Sequence, residues 1–165
     1  MIPIKIKLIV YDFDGVMTDN KVYVDQNGIE MVQVNRADGL GVAEIKKLGI
    51  EQIVISTEKN SVVSARAKKL DIFCLQGIEN KKGALINYCQ KNDYELEYVA
   101  YVGNDINDIP AFKSVGFPVG VADCYDEVIP HISYITNREG GSGAVREICD
   151  VVYYRRFQGL IEGDL

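Results

Sequence analysis

Ile6-Lys7-Leu8-Ile9-Val10-Tyr11-Asp12-Phe13-Asp14-Gly15 is the stretch that decides the fold, because an apolar run of strand length leads straight into two carboxylates. A strand that is apolar on both faces is typical of a parallel sheet buried between two layers of helices. Carboxylates at the end of such a strand are costly to bury unless a positive group compensates them. The stretch therefore predicts a buried strand with a divalent cation at its end. Gly15 also allows a simpler interpretation, in which Asp12 caps a helix and Asp14 belongs to a turn.

Outward from this strand, apolar runs alternate with longer stretches of helical periodicity, which is the pattern of βα units on a parallel sheet. We predict an α/β fold with a doubly wound, Rossmann-like parallel sheet. The predicted strands are residues 6–11, 52–56, 72–75, 98–102 and 117–119, and the predicted helices are residues 39–48, 61–70, 82–92, 108–114 and 143–153.

One segment departs from the alternation of strands and helices. Residues 21–24 and 31–34 alternate polar and apolar side chains around Asp25-Gln26-Asn27-Gly28, and Asn-Gly is a strong hairpin signal. The sequence therefore predicts a β-hairpin inserted directly after strand 1. Since no repeat or linker composition interrupts the chain, we expect one domain over residues 1–157 and a polar tail over residues 158–165.

Composition narrows the classes of partner. A net charge of −6 disfavours nucleic acid and anionic membranes, since both need a concentrated positive field. No apolar run approaches the roughly 18 residues of a membrane span, and the first residues lack a signal-peptide pattern, so we expect a cytoplasmic protein. The four cysteines lie far apart without CxxC spacing, which favours free thiols over a zinc site or a redox pair.

Other strand ends bring further polar groups to the same edge of the sheet, where ligands of such folds bind. Ser56 ends the second predicted strand, Lys81 stands at the start of a predicted helix, and the fourth predicted strand leads into Gly103-Asn104-Asp105-Ile106-Asn107-Asp108. A bound phosphate would compensate a lysine at a helix N-terminus, where the macrodipole disfavours cations. Taken singly, Ser56 could cap a helix and Lys81 could be a solvated surface side chain. Their order along the chain favours a single site.

This order resembles that of the haloacid dehalogenase superfamily of phosphohydrolases. Its four motifs are matched by Asp12-Phe13-Asp14-Gly15, by Ser56, by Lys81 and by residues 103–108, so the resemblance covers most of the chain. It implies a phosphatase in which Asp12 is the nucleophile that forms an aspartyl phosphate and Asp14 is the general acid and base. Ser56 and Lys81 would hold the phosphoryl oxygens.

The resemblance also implies a Mg²⁺ cofactor and its ligands. These would be the Asp12 carboxylate, the main-chain carbonyl of Asp14 and the side chain of Asn104. Many relatives carry Asp at the position of Asn104. The metal site would then have one negative charge fewer. Asp105 or Asp108 could compensate, either as a ligand or from just behind the ligands.

Neither gap that holds a cap domain in relatives is long enough here, so we expect no cap domain. The chain instead resembles the capless branch containing 3-deoxy-manno-octulosonate 8-phosphate phosphatase and its nine-carbon ulosonate and sialate relatives. That branch is indicated by the hairpin, by Asp38-Gly39-Leu40-Gly41, by Arg66 and Lys69, and by the segment 140–147. In this branch the hairpins assemble a homotetramer whose neighbouring subunits close the active site.

The branch implies that the substrate is a phosphorylated 2-keto-3-deoxy sugar acid. Asp38, Glu58, Arg66 and Lys69 are the residues expected to bind it, although Arg66 and Lys69 could equally lie on a solvated helix face. Octulosonate phosphatases usually carry Gly-Arg after the second motif, whereas nine-carbon relatives carry Glu. Glu58 therefore favours a nine-carbon ulosonate or sialate 9-phosphate over octulosonate 8-phosphate.

Three other functions stay open. The chain could be a phosphatase of another small phosphomonoester. It could be a non-catalytic oligomerisation module of the kind associated with acylneuraminate cytidylyltransferase, or a phospho-receiver domain. The paired Asp12 and Asp14 argue against the last two, because a scaffold needs neither carboxylate and a receiver domain has no use for an acid and base at Asp14.

Overall fold

The computed structural model describes residues 5–162 of the chain, with side chains over residues 5–155. Six strands form one parallel sheet in the order β5-β4-β1-β6-β7-β8, and β2 and β3 form a separate antiparallel hairpin. In chain order the strands are β1 (Leu8–Tyr11), β2 (Thr18–Val24), β3 (Glu30–Val34), β4 (Glu51–Ile55), β5 (Phe73–Leu75), β6 (Val99–Gly103), β7 (Phe117–Gly120) and β8 (Tyr134–Ile135).

Helices join the parallel strands. They are α1 (Arg36–Lys47), α2 (Val62–Leu70), α3 (Lys81–Lys91), α4 (Ile109–Phe112) and α5 (Ala144–Glu162), with 3₁₀ turns at Leu96–Tyr98, Ile106–Asp108 and Asp126–His131. Asparagine side chains cap two of them: Asn35 accepts the Ala37 N–H at the start of α1, and Asn80 accepts the Gly83 N–H at the start of α3. These caps satisfy amide groups that the first helical turn leaves without partners.

Strand β1 lies at the centre of the molecule and contributes to two cores. Leu8 and Val10 pack with residues of α3 and α4, whereas Ile9 and Tyr11 pack with residues of α1, α2 and α5 on the other face. The alternation follows from the two-residue period of a strand. Helices on both faces of a parallel sheet confirm the predicted doubly wound α/β fold, and no cap domain is inserted into it.

The hairpin predicted after strand 1 is present. Its turn covers residues 25–29, where the Asp25 carboxylate accepts the N–H groups of Asn27 and Ile29 and Gly28 has a φ of 76°. A positive φ is easily adopted by glycine, which explains the Asn-Gly signal. Several apolar side chains of the hairpin remain exposed: Val22, Tyr23, Val24, Ile29 and Met31.

The structure differs from the prediction at element ends. Helix α1 begins at Arg36, three residues before the predicted start, because Asn35 supplies the cap. The two-residue strand β8 was too short to predict from periodicity. Helix α5 continues to Glu162, beyond the predicted end at residue 153 and into the predicted polar tail, of which residues 163–165 lie outside the described residues.

Cys89 and Cys149 are buried free thiols, whereas Cys74 and Cys124 are free and only half-buried. Among residues 5–162 no helix is long and apolar enough to cross a membrane.

Candidate active site

The sheet places the first and fourth motifs side by side. Strands β1 and β6 are parallel neighbours with Tyr11 opposite Val102, and the Asp12 N–H donates to the Val102 carbonyl at 2.9 Å. Asp12 and Asn104, which follow these strands, therefore emerge next to each other at the carboxyl edge. The chain leaves β1 towards β4 and returns later to β6, so the edge is also a point where strand order reverses, the usual ligand position in such sheets.

Lys81, at the start of α3, is buried between two carboxylates. Its Nζ lies 2.9 Å from Asp12 Oδ1 and 2.7 Å from Asp108 Oδ1, and the residue is 2% exposed. Burial lowers the pKa of Lys81, but the charges of Asp12 and Asp108 outweigh this effect and the net pKa is raised. Lys81 is therefore a charged member of the site, and the interpretation as a solvated surface lysine is wrong.

Asp108 is fully buried behind Lys81. Besides the lysine, its carboxylate accepts the Tyr101 hydroxyl at 2.8 Å, the Asn104 N–H at 2.9 Å and the Asp105 N–H at 3.3 Å. Gly103 makes room for it, since a Cβ there would lie 2.5 Å from Asp108 Oδ2. Both oxygens are thus occupied by protein groups, and the structure does not place Asp108 as the metal ligand considered in the sequence analysis.

The two carboxylates of the first motif differ in their surroundings. Asp12 Oδ1 accepts the Phe13 N–H at 2.7 Å as well as the contact from Lys81. Burial raises the pKa of Asp12, the charge of Asp108 adds to this, and Lys81 opposes it. Asp14 is half-buried, and burial followed by the charge of Glu58 raises its pKa. Neither carboxylate is a helix cap in this arrangement.

A small polar cavity of about 110 Å³ opens at this edge of the sheet. Its lining residues are Asp12, Asp14, Asn20, Thr57, Asn104, Asp105 and Asn107. A larger cavity of about 910 Å³ lies between α1 and α5 and includes neither Asp12 nor Lys81 among its lining residues. Asp12, Asp14 and Asn104 therefore meet at a space that is small compared with common ligand pockets, and Lys81 is joined to it through its contact with Asp12.

The donor set of the small cavity fits a magnesium ion. Asn104 is 4% exposed, and within residues 5–155 its Oδ1 is buried without a hydrogen-bond partner. Buried polar atoms normally have a partner, so this oxygen marks a place for a missing cation or donor. Carboxylates of Asp12 and Asp105 line the same cavity, and Mg²⁺ prefers such oxygen ligands.

Three lining residues were not predicted as site residues. Asn107 stands in the polar segment after β6 and Thr57 directly follows Ser56, so both lay within motifs already recognised. Asn20 gave no such signal. Its backbone has a φ of 64°, a conformation that Asn tolerates better than most residues.

The second motif lies beside the cavity. Ser56 is buried, and its Oγ accepts the Glu58 N–H at 3.1 Å, which leaves the hydroxyl proton for another acceptor. The Glu58 carboxylate accepts the N–H groups of Lys59 and Asn60 at 2.6 and 2.7 Å. The charge of Glu58 raises the pKa of Asp14, although Glu58 is not among the lining residues of the cavity.

Asp38, Arg66 and Lys69 do not reach the cavity. Asp38 is 1% exposed, and its Oδ1 accepts the Arg146 N–H at 3.1 Å, so it joins α1 to α5. Arg66 donates to the Asn35 carbonyl at 2.8 Å. With Lys69, Arg66 lines a groove of about 670 Å³ beneath the hairpin. In the single chain, none of these expected substrate-binding residues is among the lining residues of the cavity with Asp12.

Comparisons with known proteins agree with this geometry. Over residues 18–148 the chain matches the family of haloacid dehalogenase-like hydrolases. It is 39% identical to 3-deoxy-D-manno-octulosonate 8-phosphate phosphatase KdsC of Salmonella typhi over 89% of this chain and 79% of that protein.

Solved structures extend the similarity to the whole fold. A HAD family hydrolase from Streptomyces avermitilis MA-4680 is 46% identical with a TM-score of 0.87, over 88% of this chain and 84% of that one. The 3-deoxy-D-manno-octulosonate 8-phosphate phosphatase from Moraxella catarrhalis, solved with magnesium, phosphate and KDO, is 32% identical with a TM-score of 0.90, over 98% and 95% of the two chains. The chain therefore belongs to the haloacid dehalogenase-like hydrolases and is a phosphoric monoester hydrolase, as its four motifs predict.

Proposed function

We propose that this hydrolase removes the phosphate from a phosphorylated 2-keto-3-deoxy sugar acid through an aspartyl phosphate on Asp12. One observation carries the proposal: Lys81 holds Asp12 at 2.9 Å on the wall of a polar cavity that Asp14 and Asn104 also line. The substrate class is supported by relatives, since the similar KdsC proteins are named for octulosonate 8-phosphate. A non-catalytic scaffold would gain nothing from a lysine buried between two carboxylates, which is costly to build.

In the first half of the reaction, Asp12 attacks phosphorus. Lys81 and the Phe13 N–H both contact Oδ1, so we assign the attack to Oδ2. The new bond joins Oδ2 to phosphorus while the bond from phosphorus to the sugar oxygen breaks, and protonated Asp14 gives its proton to the leaving alkoxide. Lys81 and the Ser56 hydroxyl hold the phosphoryl oxygens.

In the second half, water restores the enzyme. The Asp14 carboxylate takes a proton from a water molecule, and the water oxygen bonds to phosphorus. The bond between phosphorus and Asp12 Oδ2 then breaks, which releases inorganic phosphate and regenerates the free carboxylate. A single residue therefore acts first as acid and then as base, and Asp14 is suited to this because it is only half-buried and open to water.

We assign Mg²⁺ to Asp12, the main-chain carbonyl of Asp14 and the unpartnered Oδ1 of Asn104. When bound, the ion supplies positive charge that reduces repulsion between the phosphate dianion and the attacking carboxylate. Asp105 lines the same cavity and provides the negative charge that Asn104 lacks. Asp108 is assigned to hold Lys81 in place.

The sugar acid must extend beyond this cavity. A space of about 110 Å³ is smaller than the several hundred cubic ångströms of common ligand pockets, so it accommodates the phosphoryl group and little else. Glu58, whose charge raises the pKa of Asp14, is the side chain we assign to the sugar, where a carboxylate can accept hydrogen bonds from hydroxyl groups. This assignment favours a nine-carbon ulosonate 9-phosphate over octulosonate 8-phosphate.

A second copy of the chain would complete the site. The hairpin exposes Tyr23 and Met31, which are opposite each other in the antiparallel register, together with neighbouring apolar side chains. Contiguous apolar surface of this kind marks protein interfaces. We therefore propose a homotetramer assembled through the hairpins. In it, Arg66 and Lys69 of one subunit bind the carboxylate of the substrate that occupies the site of a neighbouring subunit.

The substrate proposal is tested by phosphate release from octulosonate 8-phosphate, nine-carbon ulosonate and sialate 9-phosphates, and p-nitrophenyl phosphate, each with Mg²⁺ or with EDTA. We expect a kcat/KM for a ulosonate phosphate at least ~100-fold above that for the aryl phosphate, because remote contacts are used in the transition state. Equal values of kcat/KM for the ulosonate phosphates and the aryl phosphate would favour the alternative, a phosphatase of another small phosphomonoester. No phosphate release from any ester would refute the phosphatase mechanism.

The metal assignment has its own test, the Asn104→Asp variant. A carboxylate at this position keeps an oxygen ligand and adds a negative charge, so half-maximal activity should need an equal or lower Mg²⁺ concentration. A large loss of Mg²⁺ affinity would show that Asn104 has a different role.

A further inference from the structure

Residues 136–143, here called the glycine loop, connect β8 to α5 and pack against the turn that follows Asp14. The Gly141 N–H donates to the Val16 carbonyl at 3.0 Å. A Cβ atom at Gly140 would overlap the carbonyl oxygen of Gly15, and one at Gly141 would overlap the backbone of Asp19. The two backbones are therefore in direct contact, with no room for a side chain between them.

The same contact continues to the metal site. A Cβ at Gly15 would overlap the side-chain amide of Asn104, so Gly15 lies directly on that side chain. The glycine loop, Gly15 and Asn104 thus form three consecutive layers at van der Waals contact. Because protein interiors pack closely, a loop that moves away from Gly15 leaves the Asn104 amide without support from behind.

Glu147, in the first turn of α5, holds the glycine loop. Its carboxylate accepts the Tyr134 hydroxyl at 3.0 Å, the Asn137 N–H at 2.9 Å, the Asn137 side-chain amide at 3.0 Å and the Arg138 N–H at 2.9 Å. Hydrogen bonds to an ionised acceptor are stronger than those between neutral groups. A further anchor is Asp123, whose Oδ1 accepts the Gly140 N–H at 2.9 Å.

We propose that Glu147 is a positioning residue for the metal site, which holds the glycine loop against Gly15 and so fixes Asn104 Oδ1 where a divalent cation binds. This inference rests on the proposed function, because it takes Asn104 as a ligand. Glu147 does not line the cavity with Asp12 and acts only through the loop. A residue that merely joined β8 to α5 would affect unfolding but not the metal affinity of the folded protein.

The test measures Mn²⁺ binding to the substrate-free protein by EPR, with Mg²⁺ as competitor, alongside thermal unfolding. Glu147→Gln keeps the size of the side chain but turns an amide group towards N–H donors. We expect its metal dissociation constant to rise ~10-fold, in the range seen when residues behind metal ligands are changed. Asp150→Asn is the matched control, because Asp150 lies on the same helix and its carboxylate pairs with Arg146 rather than with N–H groups of the loop. Its metal affinity should equal that of the wild type.

A folded Glu147→Gln protein with wild-type Mn²⁺ affinity would overturn the inference. Gly140→Ala provides an independent check, since its methyl group must push the loop away from Gly15 while Glu147 stays intact. It should weaken Mn²⁺ binding similarly, and wild-type affinity in this variant would also overturn the inference. The assay needs no substrate, so a wild-type protein that releases no phosphate but shows the Glu147 effect refutes the proposed function and supports the positioning role.

Discussion

The carboxyl edge of the sheet around Asp12 and the hairpin are neighbours in the chain, but the edge is buried and charged whereas the hairpin is exposed and apolar. At the edge, Asp12, Lys81 and Asp108 are at most 5% exposed, and their charges contact one another. In the hairpin, Tyr23 is 67% and Met31 63% exposed, with apolar side chains facing solvent. The difference is what we expect if the proposed phosphoryl transfer uses residues of one chain and the proposed second copy covers the exposed hairpin.

The physical cause of this difference is the number of neighbours that each strand has. Strand β1 is paired on both sides and covered on both faces, so its end can hold charged groups in fixed positions. Strands β2 and β3 pair only with each other. A two-stranded hairpin is marginally stable in water unless another surface packs against it. Variants of the buried edge and of the hairpin test whether the two regions have separate roles.

The largest effect is expected from Asp12→Asn. An amide is too weak a nucleophile to attack phosphorus, so turnover should fall by on the order of 10⁴-fold or more. Phosphate release under Mg²⁺ saturation measures the loss, with circular dichroism as the control for folding. Wild-type activity in this variant would contradict the mechanism.

Asp14→Asn should reduce turnover less, by roughly 10²- to 10⁴-fold, because it removes proton transfer but leaves the nucleophile. The proposed metal contact uses the main-chain carbonyl of Asp14, so Mn²⁺ affinity should stay within about 3-fold of the wild type. EPR titration separates the two quantities. Equal losses of metal binding and turnover would show that the carboxylate itself binds the ion.

On the other side of the comparison, Tyr23→Thr/Met31→Thr replaces a cross-strand apolar pair and keeps β-forming residues. We expect smaller assemblies in light scattering and a ~10-fold lower kcat/KM for the ulosonate phosphate, because substrate contacts from the neighbour are lost. Hydrolysis of p-nitrophenyl phosphate should not change. Tyr154→Gln, at an exposed tyrosine of α5, is the control. Equal losses on both substrates would mean that the hairpin supports the chemistry itself.

The smallest effect concerns Asp38, beneath the hairpin. Burial raises the pKa of Asp38 to about 6, although the Arg146 N–H and the charge of Arg66 oppose this. The folded state thus keeps the proton to a higher pH than the unfolded chain, whose Asp has a pKa of about 4. Its stabilising effect is present below pH 4 and is lost as the pH rises through 6. Urea unfolding at pH 4.5 and 7.5 should show a loss for the wild type, relative to Asp38→Asn, on the order of 2 kcal/mol. Parallel pH profiles would contradict the raised pKa.

The sequence predicted that Asp12 and Asn104 meet at one edge of the sheet, because strand ends fix where these residues lie. Asp12 and Asn104 follow strands whose periodicity is clear, and parallel strands leave little choice about where their ends meet. The role of Asp108 could not be predicted, since it depends on the space at Gly103 and on the Tyr101 hydroxyl reaching across the same turn. The space at Gly103 and the reach of the Tyr101 hydroxyl depend on how the folded chain packs, which the sequence pattern does not show.

The surroundings of the expected substrate-binding residues could not be predicted, for a related reason. Asp38 and Arg66 match a family pattern, but whether they face a substrate depends on how α1 and α2 pack beneath the hairpin. Asn20 was missed because its direction is set by one positive backbone angle at a register irregularity in β2. The tetramer and the division into one domain and a tail stay predictions.

The central position of β1 also bears on which parts of the molecule unfold locally. The amide of Asp12 donates to Val102 inside the central strand pair, between the two cores, so we expect its hydrogen to exchange more slowly than those of the hairpin. Amides of the hairpin exchange through local opening that leaves the sheet intact. We therefore expect a cut in the hairpin turn to leave Asp12 in place, so that substrate selectivity falls before hydrolysis itself does.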